Sequence, residues 1–197
     1  MYSMKTSVQL LYKQYIDVFP QEADALERLR RQLETKGEAG IVSRKTFDDG
    51  HVTACTIVVS LPSKKVLLID HAALQKSLQP GGHIEPEDKT IIAAAYRECQ
   101  EEAGLSAEAL RYIPLSDQNP DLPFNIAVYH IPANSSKQEP QHYHYDFAYL
   151  FTVPDGTQVQ GNDLDATNPQ WVTFATFAEN TEFSQAAQKV QKLLATL

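Results

Sequence analysis

Residues 81–105 read GGHIEPEDKTIIAAAYRECQEEAGL, which sets Arg97, Glu98, Glu101, Glu102 and Gly104 in the order R-E-x-x-E-E-x-G just after a glycine pair. The alanine-rich stretch and Gly104 as terminator predict a helix over 89–103. On that helix Glu98, Glu101 and Glu102 fall at i, i+3 and i+4 and share one face. The same face runs back through Ile91, Ala94 and Ala95, so the acids extend an apolar stripe, with Lys89, Tyr96 and Gln100 expected on the opposite side. Carboxylates carried toward a protein body without a partner take up protons or cost free energy. Two outcomes satisfy the pattern. Either the acids stay in water, where each like-charged pair costs only about 0.2–0.5 kcal/mol, or a hard divalent cation neutralises them. Mg2+ suits the second, since it prefers carboxylate oxygens, keeps several waters and bridges to phosphates; Mn2+ is the other candidate.

Pro80, Gly81 and Gly82 follow the apolar run Val66-Leu67-Leu68-Ile69, which reads as a strand. Glycine lets the main chain approach a ligand closely, so a carbonyl of Gly82 or Gly81 is a candidate metal ligand. A strand, a glycine loop and a triacidic helix in succession are far more specific than any one of them.

In these residues the chain resembles the Nudix hydrolases, whose box runs G, five residues, E, seven residues, then R-E-hydrophobic-x-E-E-x-G-hydrophobic. The second half matches at Arg97, Glu98, Cys99, Glu101, Glu102, Gly104 and Leu105. The first half departs: five residues after Gly82 stands Asp88, and eight residues separate it from Arg97, so Asp88, Glu87 and Glu85 compete for the first acidic role. The chain is also similar to a bacterial Nudix subgroup with an H-V-T-A strand (His51–Ala54), a Q-P-G-G-H loop and an H-x-H-x-D strand (His142, His144, Asp146). The likeness spans roughly residues 45–175. It implies an α/β fold, an α/β/α sandwich around a mixed sheet. A helical extension (1–44) would pack on a Nudix domain (45–197). It also implies a Mg2+-dependent hydrolase that splits a diphosphate linkage in a small nucleoside diphosphate derivative such as a nucleotide sugar, an ADP-ribose-like compound or a nucleoside triphosphate. Glu98, Glu101, Glu102 and Arg97 would be catalytic. Glu98, Glu101, Glu102 and Gly82 would hold metal, and His83, His142, His144 and Asp146 would face substrate. The altered first half of the box motivates an alternative, a nucleotide-binding sensor with weak or no catalysis. A third reading, an isomerase on the same scaffold using acid and thiol chemistry, leaves the full acidic helix without a purpose. Pro120, fifteen residues beyond the box, resembles a placement associated with ADP-ribose pyrophosphatases.

Composition narrows the partners. A net charge of −8 and a pI near 5.2 give no basic footprint for a nucleic-acid polymer. A small phosphate compound reached through metal is the expected partner. Cys55 and Cys99 both sit in apolar segments and read as reduced core residues, which suits a cytoplasmic protein. The N-terminal stretch lacks a signal-peptide pattern and no run of about 18 apolar residues occurs, so no membrane is expected. A homodimer through the N-terminal helices is open.

Elsewhere, helices are expected over 5–17, 21–36 and 183–197, and strands over 51–60, 66–70, 125–131, 141–153 and 170–174. Arg28, Arg30 and Arg31, interleaved with acids, read as a solvated helix face. His142, His144 and Asp146 alternate with aromatics, so a strand sets them on one face, where a transition-metal site, a substrate wall and a polar solvent face all compete. Asp146, Asp163 and Asp165 are candidates for a distal acid, with Glu139 weaker. His83 is a phosphate contact or a turn residue. Trp171 and Phe174 are core residues or a stacking platform.

Overall fold

The protein is described by a computed structural model covering residues 7–38, 40–72, 75–135, 137–161 and 166–195. In chain order its helices are α1 (Val8–Val18), α2 (Glu27–Lys36), α3 (Ile91–Ala103), α4 (Phe174–Glu179) and α5 (Ser184–Leu194). Its strands are β1 (His51–Leu61), β2 (Lys65–His71), β3 (Lys76–Leu78), β4 (Gly81–His83), β5 (Arg111–Ile113), β6 (Asn125–Ile131), β7 (His142–Pro154) and β8 (Ala166–Val172).

β1, HVTACTIVVSL, is rich in β-branched residues, and every residue from His51 to Ser60 is buried. Burial on both faces marks a central strand. The sheet order is β3-β2-β1-β7-β5, with β4 joined to β1, β6 to β7 and β8 to β2. β1 and β2 form an antiparallel hairpin (Val59 opposite Val66) across a turn that contains the cis Leu61–Pro62 peptide. β6 pairs antiparallel with β7 without a register shift, from Asn125 opposite Ala148 to Ile131 opposite His142.

The chain forms two compact units, Met1–Ala54 with Gly82–Ala95 and Pro114–Ala148, and Cys55–Gly81 with Tyr96–Ile113 and Tyr149–Leu197. In the first, buried hydrogen bonds tie the N-terminal helices to β6 and β7. The hydroxyl of fully buried Tyr15 donates to Glu22 and accepts the Ile126 N–H at 3.0 Å. Gln32, also buried, accepts from the Tyr145 hydroxyl at 2.6 Å and donates to the Gly50 carbonyl at 3.0 Å. The helix expected over 21–36 is interrupted: Pro20–Glu22 forms a 3-10 turn and α2 begins at Glu27. The break turns Glu22 inward to Tyr15 and buries Leu26. Of the three arginines, Arg30 pairs with Glu27 and Glu34 and Arg31 is exposed, whereas Arg28 lies 3.8 Å from the centroid of the Tyr143 ring, a cation–π contact.

In the second unit, α5 buries Ala186, Ala187, Val190 and Leu194, and Phe177 stacks on Phe183 at 4.9 Å. The strand expected over 170–174 occurs as Ala166–Val172. Thr173 then accepts the Thr176 N–H and caps α4, so Phe174 opens a helix. No helix among the described residues is long and apolar enough to cross a membrane.

Gln32→Leu deprives the Tyr145 hydroxyl and the Gly50 carbonyl of their partners. Denaturant unfolding should show a loss of about 1–3 kcal/mol per orphaned group.

Candidate functional site

α3 starts where the Thr90 hydroxyl accepts the Ala93 N–H at 3.2 Å, and stops at Gly104, whose φ of 71° only glycine adopts without strain. A Cβ on Gly104 would lie 2.6 Å from the Gln160 carbonyl oxygen, and one on Gly161 would lie 2.2 Å from the Glu102 carbonyl oxygen. The 160–161 backbone is therefore pressed against the end of α3, and the Gln160 N–H donates to Ala103 at 3.0 Å.

The apolar stripe is present: Ile91, Ala94, Ala95, Cys99 and Ala103 are buried. The acids divide along it. Glu102 is 7% exposed and the Glu98 side chain 12%, while that of Glu101 is 49% exposed. At 3.6 residues per turn, Glu98 and Glu102 lie about 40° apart and Glu101 about 60° to the other side of Glu98, which puts it at the rim. Arg97 Nη1 donates to Glu98 Oε1 at 2.9 Å and to Glu101 Oε2 at 3.1 Å. Glu102 Oε2 accepts the Gly81 N–H at 2.8 Å. The preceding Pro80 carbonyl accepts both the N–H (2.8 Å) and the hydroxyl (3.2 Å) of Thr56 on β1. The glycine loop is thus held by the sheet and by the acidic helix together. Tyr96, two residues before Glu98 and so on the other side of the helix, packs its ring with the centroid 4.8 Å from that of Phe151.

Asp88 is buried, and its carboxylate accepts the Glu85 N–H at 2.8 Å, while Glu85 and Glu87 are exposed. Asp146 takes a hydrogen bond from the Thr53 hydroxyl. Glu139 pairs with Arg44 at 3.2 Å, and Asp163 and Asp165 lie outside the described residues. Trp171 is half-buried and donates from Nε1 to the Thr157 carbonyl at 2.9 Å; Phe174 is also half-buried.

Four imidazoles meet in the first unit. Ring centroids of His51 lie 5.1 Å from His83, 5.0 Å from His142 and 4.8 Å from His144. His142 and His144 are expected strand neighbours, but His51 has no counterpart in that pattern. Its signal was its place at the head of H-V-T-A, two residues before Thr53, which bonds Asp146. Burial pushes the His51 imidazole down to about 4 and that of His83 to about 3. Both Cys55 and Cys99 are buried, and burial pushes the Cys99 thiol up to about 12, which leaves it inert.

A mixed sheet with a glycine loop pinned to an acid-lined helix defines an α/β protein. The family model for the NUDIX domain matches residues 50–194, and the chain belongs to that family. Among its relatives are a probable DHNTP pyrophosphohydrolase of Lactococcus lactis, 29% identical over 46% of this chain and 48% of that one, and the phosphatase NudJ of Escherichia coli K12, 35% identical over 40% and 54%. The chain spans about half the length of these curated relatives. Solved structures with the same fold include a Caenorhabditis elegans Ap4A hydrolase (TM-score 0.55, 19% identity, 74% of this chain and 98% of that one) and the E. coli dihydroneopterin triphosphate pyrophosphohydrolase (TM-score 0.56, 16% identity, 74% and 96%).

At pH 8 a thiol with a pKa near 12 is ionised to about one part in ten thousand. Iodoacetamide should leave the Cys99 peptide unmodified in the folded protein and modify it readily in urea, as read by mass spectrometry.

Proposed function

We propose that this chain is a Mg2+-dependent pyrophosphohydrolase that splits the phosphoanhydride of a small nucleoside diphosphate derivative: a nucleotide sugar, an ADP-ribose-like compound or a nucleoside triphosphate. The observation that carries this reading is the inward pair Glu98 and Glu102 on α3, with Glu102 joined to the glycine loop through the Gly81 N–H. The family membership and the name of one relative, a probable DHNTP pyrophosphohydrolase, support it.

The donor set fits a hard cation: carboxylates of Glu98, Glu101 and Glu102, with the Gly82 carbonyl as a further ligand. When bound, Mg2+ (or Mn2+) supplies charge neutralisation for the phosphates and lowers the pKa of a coordinated water. The chain's own residues do the rest. Arg97 Nη1 bonds Glu98 and Glu101 together, which aims both carboxylates. The Gly81 N–H orients the Glu102 carboxylate. Either Glu98 or Glu102 accepts the proton of the attacking water. Buried thiols suit a reducing cytoplasm, and the acidic chain suits a small substrate in place of a polymer.

One observation favours a second reading, the sensor. Asp88, which stands nearest the first acidic position of the box, spends its carboxylate capping its own loop. Calorimetry with ADP-ribose and nucleotide sugars separates the two, since tight binding without product after long incubation with Mg2+ supports the sensor.

Glu102→Gln keeps an acceptor for Gly81, so this variant and Glu101→Gln should retain native circular dichroism while Mg2+-dependent phosphate release from a panel of diphosphates disappears. Undiminished turnover in either variant overturns the proposal. Arg97→Ala should weaken Mg2+ binding by roughly 10–100-fold, read by calorimetric titration.

A further inference from the structure

We propose that His51, His142 and His144 form a binding site for a borderline divalent transition ion of the zinc class, sharing no residue with the carboxylate site. One ring nitrogen from each of the three lies within 4.8 Å of the others. All three residues lie within one compact unit, two on β7 and one at the start of β1.

Hydrogen bonds fix where the lone pairs point. His51 Nδ1 faces the Thr46 carbonyl at 3.1 Å, and His142 Nδ1 faces the Pro140 carbonyl at 2.8 Å. A carbonyl only accepts, so each Nδ1 carries the proton, and in the neutral ring each Nε2 carries a lone pair. An imidazole anchored through one nitrogen to a backbone carbonyl is the arrangement that orients metal-binding histidines. The lone pair of His142 Nε2 faces His144 Nε2 at 3.1 Å, so His144 donates to it in the resting state. His51 Nε2 is buried and makes no hydrogen bond at all. A buried acceptor left without a partner carries a desolvation cost that a cation at that point removes.

Ligand type selects the ion. Imidazole nitrogen suits zinc, copper, nickel and iron, whereas Mg2+ requires oxygen. Zn–N bonds of about 2.0–2.1 Å at tetrahedral angles place neighbouring nitrogens about 3.3 Å apart. The His142 and His144 nitrogens are already at that separation within a few tenths of an ångström, and His51 closes by roughly 1–2 Å. On binding, His144 takes its proton on Nδ1 and offers the Nε2 lone pair to the ion. Three imidazoles leave one position open, beside His83, whose ring centroid lies 5.2 Å from that of His144. Phe47, with its centroid 5.1 Å from His142, closes another side with an apolar ring.

The test uses the full chain stripped with EDTA, dialysed, and titrated with ZnCl2 by calorimetry in excess Mg2+. Co2+ serves as the spectroscopic reporter. The expected result is one Zn2+ per chain, an intense visible Co2+ spectrum of low coordination number that Zn2+ abolishes, and 15N shifts at the Nε2 atoms of His51, His142 and His144. His142→Ala and His144→Gln should weaken Zn2+ binding at least about 100-fold, while Glu98→Gln and Glu102→Gln leave it unchanged. His144 is only half-buried, so its variant decides the matter where His142→Ala fails to fold. Histidine variants that bind Zn2+ as tightly as the parent, Zn2+ binding that follows the glutamate variants, or no Zn2+ uptake in excess Mg2+ each overturn the proposal. None of these outcomes depends on substrate turnover, so the proposed hydrolase activity stands or falls separately.

Discussion

A carboxylate buried on α3 needs donors, and the Gly81 N–H is one that Glu102 receives. Removing an ionised carboxylate from water costs several kcal/mol unless hydrogen bonds or charges replace the lost hydration. Much of the surrounding geometry follows from meeting that demand. The loop must bring a main-chain N–H to the helix, and the Pro80 carbonyl must be held by Thr56 so that the N–H stays in place. Glu98 meets the same requirement differently, through Arg97, at a shallower position where a long guanidinium still reaches solvent.

The first unit follows the same rule with neutral groups. Tyr15, Gln32 and Tyr145 are buried polar residues, and each is satisfied by a named partner, so the N-terminal helices are positioned by hydrogen bonds as well as by apolar burial. Such networks specify one arrangement because a shifted one would strand several donors at once. Among the described residues His51 is the exception, a buried ring with one nitrogen bonded and the other not. Against so consistent a background, the unmet nitrogen points to chemistry and away from packing.

Legibility in the sequence followed the length of the signal. The box helix and β7 were readable because their periodicity runs for many residues, and β1 because of its long apolar, β-branched run. β3, β4 and β5 each span three residues, too short for any alternation to register, and their pairing is decided by partners far along the chain. The interruption before α2 was hidden because Glu22 reads as a surface acid until the Tyr15 hydroxyl is seen beside it. At the site, spacing indicated that the glutamates share a face but not that Glu101 would stand half in water, since that depends on how far the stripe wraps. His142 and His144 were legible as strand neighbours, whereas His51 lies about ninety residues upstream and joins them only through the sheet.

The contact between the 160–161 backbone and the end of α3 limits how this protein can diverge. Gly104 and Gly161 face their neighbours with hydrogen atoms where any other residue would bring a carbon within 2.6 Å or 2.2 Å of a carbonyl oxygen. The 155–161 segment is therefore tethered at this place to the helix that carries Glu102. Insertions after Pro154 will be absorbed before residue 160 or will tilt the acidic helix, and a comparison of natural variants should find length changes confined to the near side of that junction.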